Sequence, residues 1–587
     1  MTFNRSPGLL VAALAAVVLL PDLGGPPLWD EDEPRNAACS LAMWSSGDWI
    51  VPSFNGRLRV EKPALVNWLH LAGFAVAGPN ETGARLGSAL LTLATCLLTW
   101  RIAAILFRPD VAAWAGVVMA TCLWTGITGR AATPDAPLAC FTTLALWLFV
   151  RAGRTAGPDG LRWRDGPVRL SLNSAAGIGG ACGLAILTKG PVGLVLPLAG
   201  LGLFAWWQAV ADPGRDGPRL RRILAATTDA WRGLRPLVIT GAALAVAAPW
   251  YAAVTARTEG QWLREFFLVH NVGRFAAPME GHSGSTLFYY PLVILVGLFP
   301  WSMASALVGW HAVAAVRTTG QASPGMRLLL AWLAAWILPF SLAGTKLPGY
   351  VWPAYSALAC CIGLFLADWI RTPARTTDAW MRVAWAFLIV SGVGLGIGLP
   401  LVVHHIAPGG EWLGLVGLIP LAGGLFAWAS QSLSSRRAAT AAWAATACAS
   451  VAILVTLGPA SLGRTGGARH LLARLPADGI SHPIACYRAP ASTSFYAGLV
   501  AADGEVAALE EPAEVAAFVA AHPGAPVVVD ARWEELVAAE LPADYAVMRA
   551  VTVLPAAHRL VLFGPTKTPD LPRLADAASR TGEPRQH

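Results

Sequence analysis

About thirteen stretches of roughly twenty apolar residues recur along the first 460 positions. A segment of that length is suited to a helix crossing a bilayer whose hydrocarbon core is about 30 Å thick. The stretches lie near 8–24, 85–107, 111–129, 134–152, 173–188, 191–209, 236–254, 287–309, 326–343, 348–368, 380–402, 411–430 and 437–458. The pair near 173–209 requires Lys189-Gly190-Pro191 to make a very tight turn. The segment 63–77 is apolar but short, and reads as a helix lying at the interface. Charged residues are only 13% of the chain, against about a quarter in soluble domains. The 26 tryptophans read mostly as anchors at the membrane–water boundary. No small-residue cleavage site follows the first apolar run, which reads as a retained span and not a signal peptide. The nine cysteines are scattered and form no CxxC pair, so neither a disulfide framework nor a zinc knuckle is expected.

Arginine placement sets the orientation. With the N-terminus cytoplasmic, the inner loops collect Arg101 and Arg108, then Arg151, Arg154, Arg162, Arg164 and Arg169, then Arg215, Arg219, Arg221, Arg222, Arg232 and Arg235. Arg317, Arg371, Arg375, Arg436 and Arg437 continue the alternation, as the positive-inside rule requires. The net charge of +8 therefore reads as topology, and no nucleic-acid partner is expected. After about residue 462 the pattern changes. Short β-prone runs (Pro483–Tyr487, Pro526–Val529, Ala546–Val553, Arg559–Phe563) alternate with helix-like ones (Glu505–Ala521, Trp533–Glu540). The expected fold is mainly α: a polytopic transmembrane helical bundle over 1–460, then a small α/β domain over 461–566 on the periplasmic side. The polar, Pro-rich end, 567–587, reads as disordered.

The unusual polar residues fall on the outer side, in loops 25–84, 129–135 and 255–285 and in two tight turns. The opening loop carries Asp30, Glu31, Asp32, Glu33, Arg35, Asp48, Glu61 and Lys62. Further outer connections bring Arg130 and Asp135, then Lys189, then His270, Arg274, Glu280 and His282, then Lys346 and Tyr350. Charges near membrane depth usually face protein interior or a water-filled cavity. Convergence of these loops would place cations, suited to a phosphate at headgroup level, beside carboxylates able to take a proton from an attacking hydroxyl. No P-loop or dinucleotide fingerprint is present. With no nucleotide sugar outside a bacterial inner membrane, the activated donor would have to be lipid-linked. Plainer readings stand beside these. The acidic run could be a solvated face, Lys62 could snorkel to headgroups, Asp135 could cap the helix after Pro134, and Lys189 reads as structural. A transporter or flippase for a lipid-linked saccharide is the alternative, although transporters tend to carry midplane polar groups and repeated halves. Neither feature is evident here.

A series of motifs then runs in order: Asp32-Glu33-Pro34-Arg35, Ser46-Gly47-Asp48-Trp49, Glu61-Lys62-Pro63, Ala84-Arg85-Leu86, Thr188-Lys189-Gly190-Pro191, Pro249-Trp250-Tyr251, Gly273-Arg274-Phe275, Tyr289-Tyr290, Pro300-Trp301 and Lys346-Leu347-Pro348. In this order they resemble the GT-C membrane glycosyltransferases that use polyprenyl-phosphate sugars. These include the aminoarabinose transferases of lipid A and lipopolysaccharide modification and the dolichyl-phosphate-mannose transferases of protein glycosylation. Asn36 and Ala64 depart from that pattern, which usually has Tyr and a second Pro there. The resemblance implies an inverting transferase in a bacterial inner membrane. It would move a sugar from a polyprenyl-phosphate donor to a glycolipid (lipid A-like) or other outer-side acceptor. Asp32 would be the catalytic carboxylate and Asp135 a second acid in the pocket. Lys62, with Arg35, Arg274, Lys346 and Tyr350, would hold the donor phosphate. In some members a divalent metal (Zn, Mg or Mn) is implied, with Glu61 and His270 as its ligands here.

Overall fold

The computed structural model describes residues 6–29, 32–157, 160–163, 167–211, 218–273, 288–317, 322–372, 374–406, 408–463, 467–473, 475, 483–501, 506–553 and 558–566. The chain divides into two compact units, Met1–Thr465 and Gly466–His587.

The larger unit is helical. It opens with α1 (Ser6–Leu19), α2 (Asp32–Ser46), the hairpin β1–β2 (Ser53–Phe54 and Arg57–Leu58), α3 (Leu65–Ala77) and α4 (Glu81–Leu106). Next come α5 (Pro109–Thr121), α6 (Leu123–Gly129), α7 (Asp135–Ala152), a second hairpin β3–β4 (Arg154–Gly157 and Gly160–Trp163), α8 (Leu172–Lys189) and α9 (Val192–Val210). The helices α10 (Arg219–Leu234), α11 (Pro236–Arg257) and α12 (Gln261–Glu265) lead into a π-helical turn, Phe266–Gly273. Then follow α13 (Tyr289–Gly297), α14 (Ser305–Arg317) and α15 (Ala322–Leu342). A 3-10 segment, Pro348–Ala354, leads into α16 (Tyr355–Arg371), and α17 (Arg375–Ile406), α18 (Leu418–Ser432) and α19 (Arg436–Gly463) close the unit.

Local chemistry starts these helices where they start. Asn80 Oδ1 accepts from the Gly83 amide at 3.0 Å and caps α4, and Ser171 Oγ does the same for α8 from Ser174 at 3.1 Å. Pro109 and Pro236 open α5 and α11, where a missing N–H leaves nothing unpaired. The tight α8–α9 turn forms because Gly190 takes φ +78°, a conformation costly for any residue with a Cβ.

Each of the thirteen apolar stretches overlaps a helix. Among the described residues, nine helical segments are long and apolar enough to cross a membrane, or up to eleven if two bent pairs count. Two of the thirteen stretches are not among these segments. The helix α1 has only 14 residues, and α8 is diluted by Asn173 and four glycines, Gly177, Gly179, Gly180 and Gly183. The segment 63–77 is indeed a short helix, α3. The Arg-rich stretch 215–235, read as a loop, instead contains the amphipathic α10, with Leu220, Leu224 and Trp231 exposed beside its arginines.

Burial separates the centre of the bundle from its edge. Pro348–Arg371 is 89% buried over its most apolar window, whereas Arg375–His405 is 17% buried. The outer faces carry exposed Phe387, Val390, Ile397 and Leu401, as expected of surface facing hydrocarbon. Many tryptophans are core residues and not boundary anchors: Trp262, Trp301, Trp332, Trp336, Trp352, Trp385 and Trp443 are fully buried. Several find a partner for the indole N–H, as a buried Trp requires. Trp301 donates to Thr121 Oγ1 (3.0 Å), Trp332 to the Pro353 carbonyl (3.0 Å) and Trp385 to Gln431 Oε1 (2.6 Å).

The smaller unit is α/β. It runs α20 (Ala468–Leu472), β5 (Ile484–Tyr487), α21 (Ala491–Val500), β6 (Val506–Leu509), α22 (Pro512–Ala521), β7 (Val527–Asp530), α23 (Glu534–Ala538), β8 (Tyr545–Val553) and β9 (His558–Pro565). Its sheet has the order β6-β5-β7-β9-β8, parallel across β6-β5-β7 and antiparallel across β7-β9-β8. Four strands fall where the sequence places them. The fifth, β6, was hidden in an apparent helix over 505–521; Pro512, with the Glu511/Glu514 capping box, separates strand from helix there. The tail 567–587, expected to be disordered, lies outside the described residues.

Candidate active site

Two buried ionic networks hold the start of α2. Glu33 and Arg85 pair at 2.7 Å with both side chains 5% exposed. Arg85 also donates to the carbonyls of Leu23, Pro26 and Pro27 at 2.8–3.0 Å. Glu33 accepts from the amides of Trp29 (2.7 Å) and Ala132 (2.8 Å). The first turn of α2, which begins with Asp32, is thereby fixed against the turn that leads to Asp135.

The second network runs through Arg59. Asn55 and Gly56 both have positive φ, which closes β1–β2 as a two-residue hairpin. The chain then returns past Pro52, whose carbonyl accepts from the Arg59 amide at 2.9 Å. The Arg59 guanidinium, buried, donates to Glu61 Oε2 (3.1 Å), the Arg35 carbonyl (2.9 Å) and Asn36 Oδ1 (2.7 Å). Asn36 in turn donates to the Ala132 carbonyl at 2.9 Å. Burial alone would raise the Glu61 carboxyl. The Arg59 charge, a backbone amide and His270 more than offset that and hold it below the ordinary range.

These segments meet at a cavity of about 130 Å³ lined by Glu61, Lys62, Leu138, Lys189, Val192, Phe266, His270, Phe340, Ala343, Thr345 and Tyr350. On that measure a water needs only about 10–15 Å³, so the cavity has room for a phosphate group and more. Lys189 pairs with Asp135 and lies 4.9 Å from the centre of the Tyr350 ring; Asp32 is also within its electrostatic reach. Asp135 is the first residue of α7, and its carboxylate pairs with Lys189. A Cβ on Gly349 would lie 2.5 Å from Asp135 Oδ2; only glycine allows the backbone this close.

The sequence-derived residues separate into groups. Lys62, Tyr350, Glu61 and His270 line the cavity. Asp135 touches it through Lys189, and Arg35 stands one turn along α2 from Asp32. Lys346 is placed otherwise. It is 8% exposed, and its Nζ donates to the Ser341 (3.0 Å) and Ala343 (2.7 Å) carbonyls at the end of α15, a helix-terminus role. Arg274 lies outside the described residues. A zinc site ordinarily takes three or four protein ligands. Among the described residues no group of three or more His, Cys, Asp or Glu side chains is placed to hold a metal, and Glu61 is already bonded to Arg59. Glu61 and His270 both line the cavity but form no such group among the described residues. Two residues escaped the sequence reading. Lys189 read as structural, yet it faces the cavity. Arg59 carried no signal, because its importance lies in contacts with distant segments.

The sequence model described as dolichyl-phosphate-mannose-protein mannosyltransferase matches residues 31–233. An undecaprenyl phosphate-alpha-4-amino-4-deoxy-L-arabinose arabinosyl transferase of Pseudomonas paraeruginosa is 31% identical over 473 residues, 79% of this chain and 77% of that protein. One of Pectobacterium carotovorum is 29% identical over 438 residues, 73% of this chain and 71% of its own length. The crystal structure of ArnT from Cupriavidus metallidurans bound to undecaprenyl phosphate shares the fold, with TM-score 0.73 at 22% identity, over 95% of this chain and 98% of that one. Identity at this level over most of both sequences decides the family: the chain belongs to the undecaprenyl phosphate-alpha-4-amino-4-deoxy-L-arabinose arabinosyl transferases, multi-pass membrane glycosyltransferases of the GT-C type.

Proposed function

We propose that this protein transfers a sugar, aminoarabinose or a close analogue, from polyprenyl phosphate to a hydroxyl of a lipid A-like glycolipid. The reaction would take place at the outer face of a bacterial inner membrane. The N-terminus is then cytoplasmic and the C-terminal α/β unit periplasmic, as the arginine distribution supports. One observation carries the reading: Lys62 and Lys189 line a single cavity, with Asp135 paired to Lys189 and Asp32 within its reach. The acceptor oxygen attacks the anomeric carbon from the face opposite the phosphate, and configuration inverts. Its proton passes to the Asp32 carboxylate as the carbon–oxygen bond to phosphate breaks. The bonding pair leaves with the phosphate, whose growing charge is met by Lys62, Lys189 and, in this reading, Arg274. Arg35 supports the same charge from the first turn of α2, and Tyr350 bounds the site beside Lys189.

The direct test incubates purified protein with radiolabelled polyprenyl-phosphate sugars and a glycolipid acceptor, then identifies the product by mass spectrometry. No labelled glycolipid with any donor would end the reading. Lys62→Ala is expected to weaken polyprenyl-phosphate binding about 10- to 100-fold, the worth of a hydrogen bond to a charged group. A binding titration of the purified variant that matches the parent would remove Lys62 from the phosphate site.

A further inference from the structure

Arg59 and Asn36 are not among the cavity's lining residues, and neither belongs to the residues assigned to donor or acceptor above. Their arrangement joins three segments that carry reacting groups: those of Lys62, Asp32 and Asp135. Arg59 reaches Glu61, next to Lys62, at 3.1 Å, and Asn36, one turn from Asp32, at 2.7 Å. Asn36 reaches the Ala132 carbonyl, three residues before Asp135, at 2.9 Å. The Arg59 carbonyl accepts from Trp262 Nε1 at 2.9 Å, and Trp262 stacks on Phe266, a cavity wall, with centroids 4.7 Å apart. Both side chains are buried, Asn36 at 0% and Arg59 at 5% exposure. A buried network in which each bond is made holds its members in one arrangement.

We propose that Arg59 and Asn36 form one positioning unit, setting the phosphate-binding Glu61-Lys62 segment against the carboxylates of α2 and α7. This role rests on the glycosyl-transfer reading. A planar guanidinium can serve three acceptors in three directions, which an ammonium on a flexible stem cannot. Asn36 offers a donor and an acceptor on one short amide, which lets α2 bond to Arg59 and to the Ala132 turn together. The unit touches no substrate. Its effect comes through geometry, where an error of about 1 Å lowers rates about 100-fold.

The test compares parent, Arg59→Lys, Asn36→Ala and the double variant in one lipid system, with kcat per mole of folded protein, donor KM and melting temperature measured separately. Arg59→Lys is expected to lower kcat about 10- to 100-fold and to leave donor KM within about threefold. Asn36→Ala keeps every charge and should show the same split, less strongly. The double variant should be no slower than Arg59→Lys alone, as expected of residues acting as a unit. Parental kcat in the folded single variants, with only the melting temperature lowered, would show a purely structural role and overturn the proposal. Losses that multiply in the double variant would do so as well. If Arg59→Lys does not fold, Asn36→Ala alone decides by the same split. A parent that transfers no sugar brings down the transfer reading and this role together; an active parent with unaltered variants brings down this role alone.

Discussion

An Asp32→Asn variant is expected to lose about 100- to 10,000-fold in transfer rate, the usual contribution of a positioned base, with folding and polyprenyl-phosphate binding retained. The substitution keeps size and shape at the first residue of α2 and removes the negative charge together with the ability to take a proton. The surrounding anchors are independent of it: Glu33 is held by Arg85 and the Ala132 amide, and Asn36 by Arg59. The start of the helix should therefore stay in place. Donor binding depends on the cavity cations, which are unchanged. The decisive measurement is single-turnover transfer by the purified variant, alongside its binding titration. Near-parental transfer would take Asp32 out of the mechanism and leave Asp135 as the remaining carboxylate. Loss of donor binding together with rate would point instead to misplacement of the loop.

The second large effect concerns folding. Arg85→Met is expected to destabilise the bundle by about 3–5 kcal/mol, the result of breaking a buried pair from one side. The substitution strands Glu33 at 5% exposure and leaves the carbonyls of Leu23, Pro26 and Pro27 without their donor. A thermal melt in detergent reads this directly, and a melting temperature equal to the parent's would contradict it. Adding Glu33→Gln to the same chain should recover part of the loss, since the neutral amide no longer leaves a buried charge unpaired. The pair thus separates from Asp32 by readout: one governs whether α2 is in place, the other what its first residue does.

The sequence made the bundle legible because a bilayer leaves few choices for a twenty-residue apolar run. At α1 and α8 the same logic finds helices that are short or diluted by glycine, and these two are not among the nine to eleven candidate spans of the described residues. Periodicity also missed α10, whose arginines resembled loop charge, and β6, whose apolar residues run into α22. At the site, motif order located Lys62, Glu61, His270 and Tyr350 along the chain, and the cavity draws these four together. Motif order also singled out Lys346, which donates to two carbonyls at the end of α15; a basic residue looks the same in sequence whether it faces an anion or closes a helix end. Arg59 was invisible for the opposite reason: of its three side-chain partners, 2 to 24 positions away, two lie on α2, and no local pattern records that.

The sparse burial of α17 bears on how the protein sits in lipid. The helix has 32 residues, the first turns of which carry Arg375, Asp378 and Arg382; the apolar part from Val383 onward is about 36 Å long at 1.5 Å per residue, beyond the roughly 30 Å hydrocarbon slab. Its main neighbours are α18 and the preceding turn, Glu411–Gly417. A rod that overhangs its solvent, with few side supports, accommodates by leaning. Acyl-chain length therefore acts first on this outrigger, while the Pro348–Arg371 mast, packed on nearly every side, keeps its pitch.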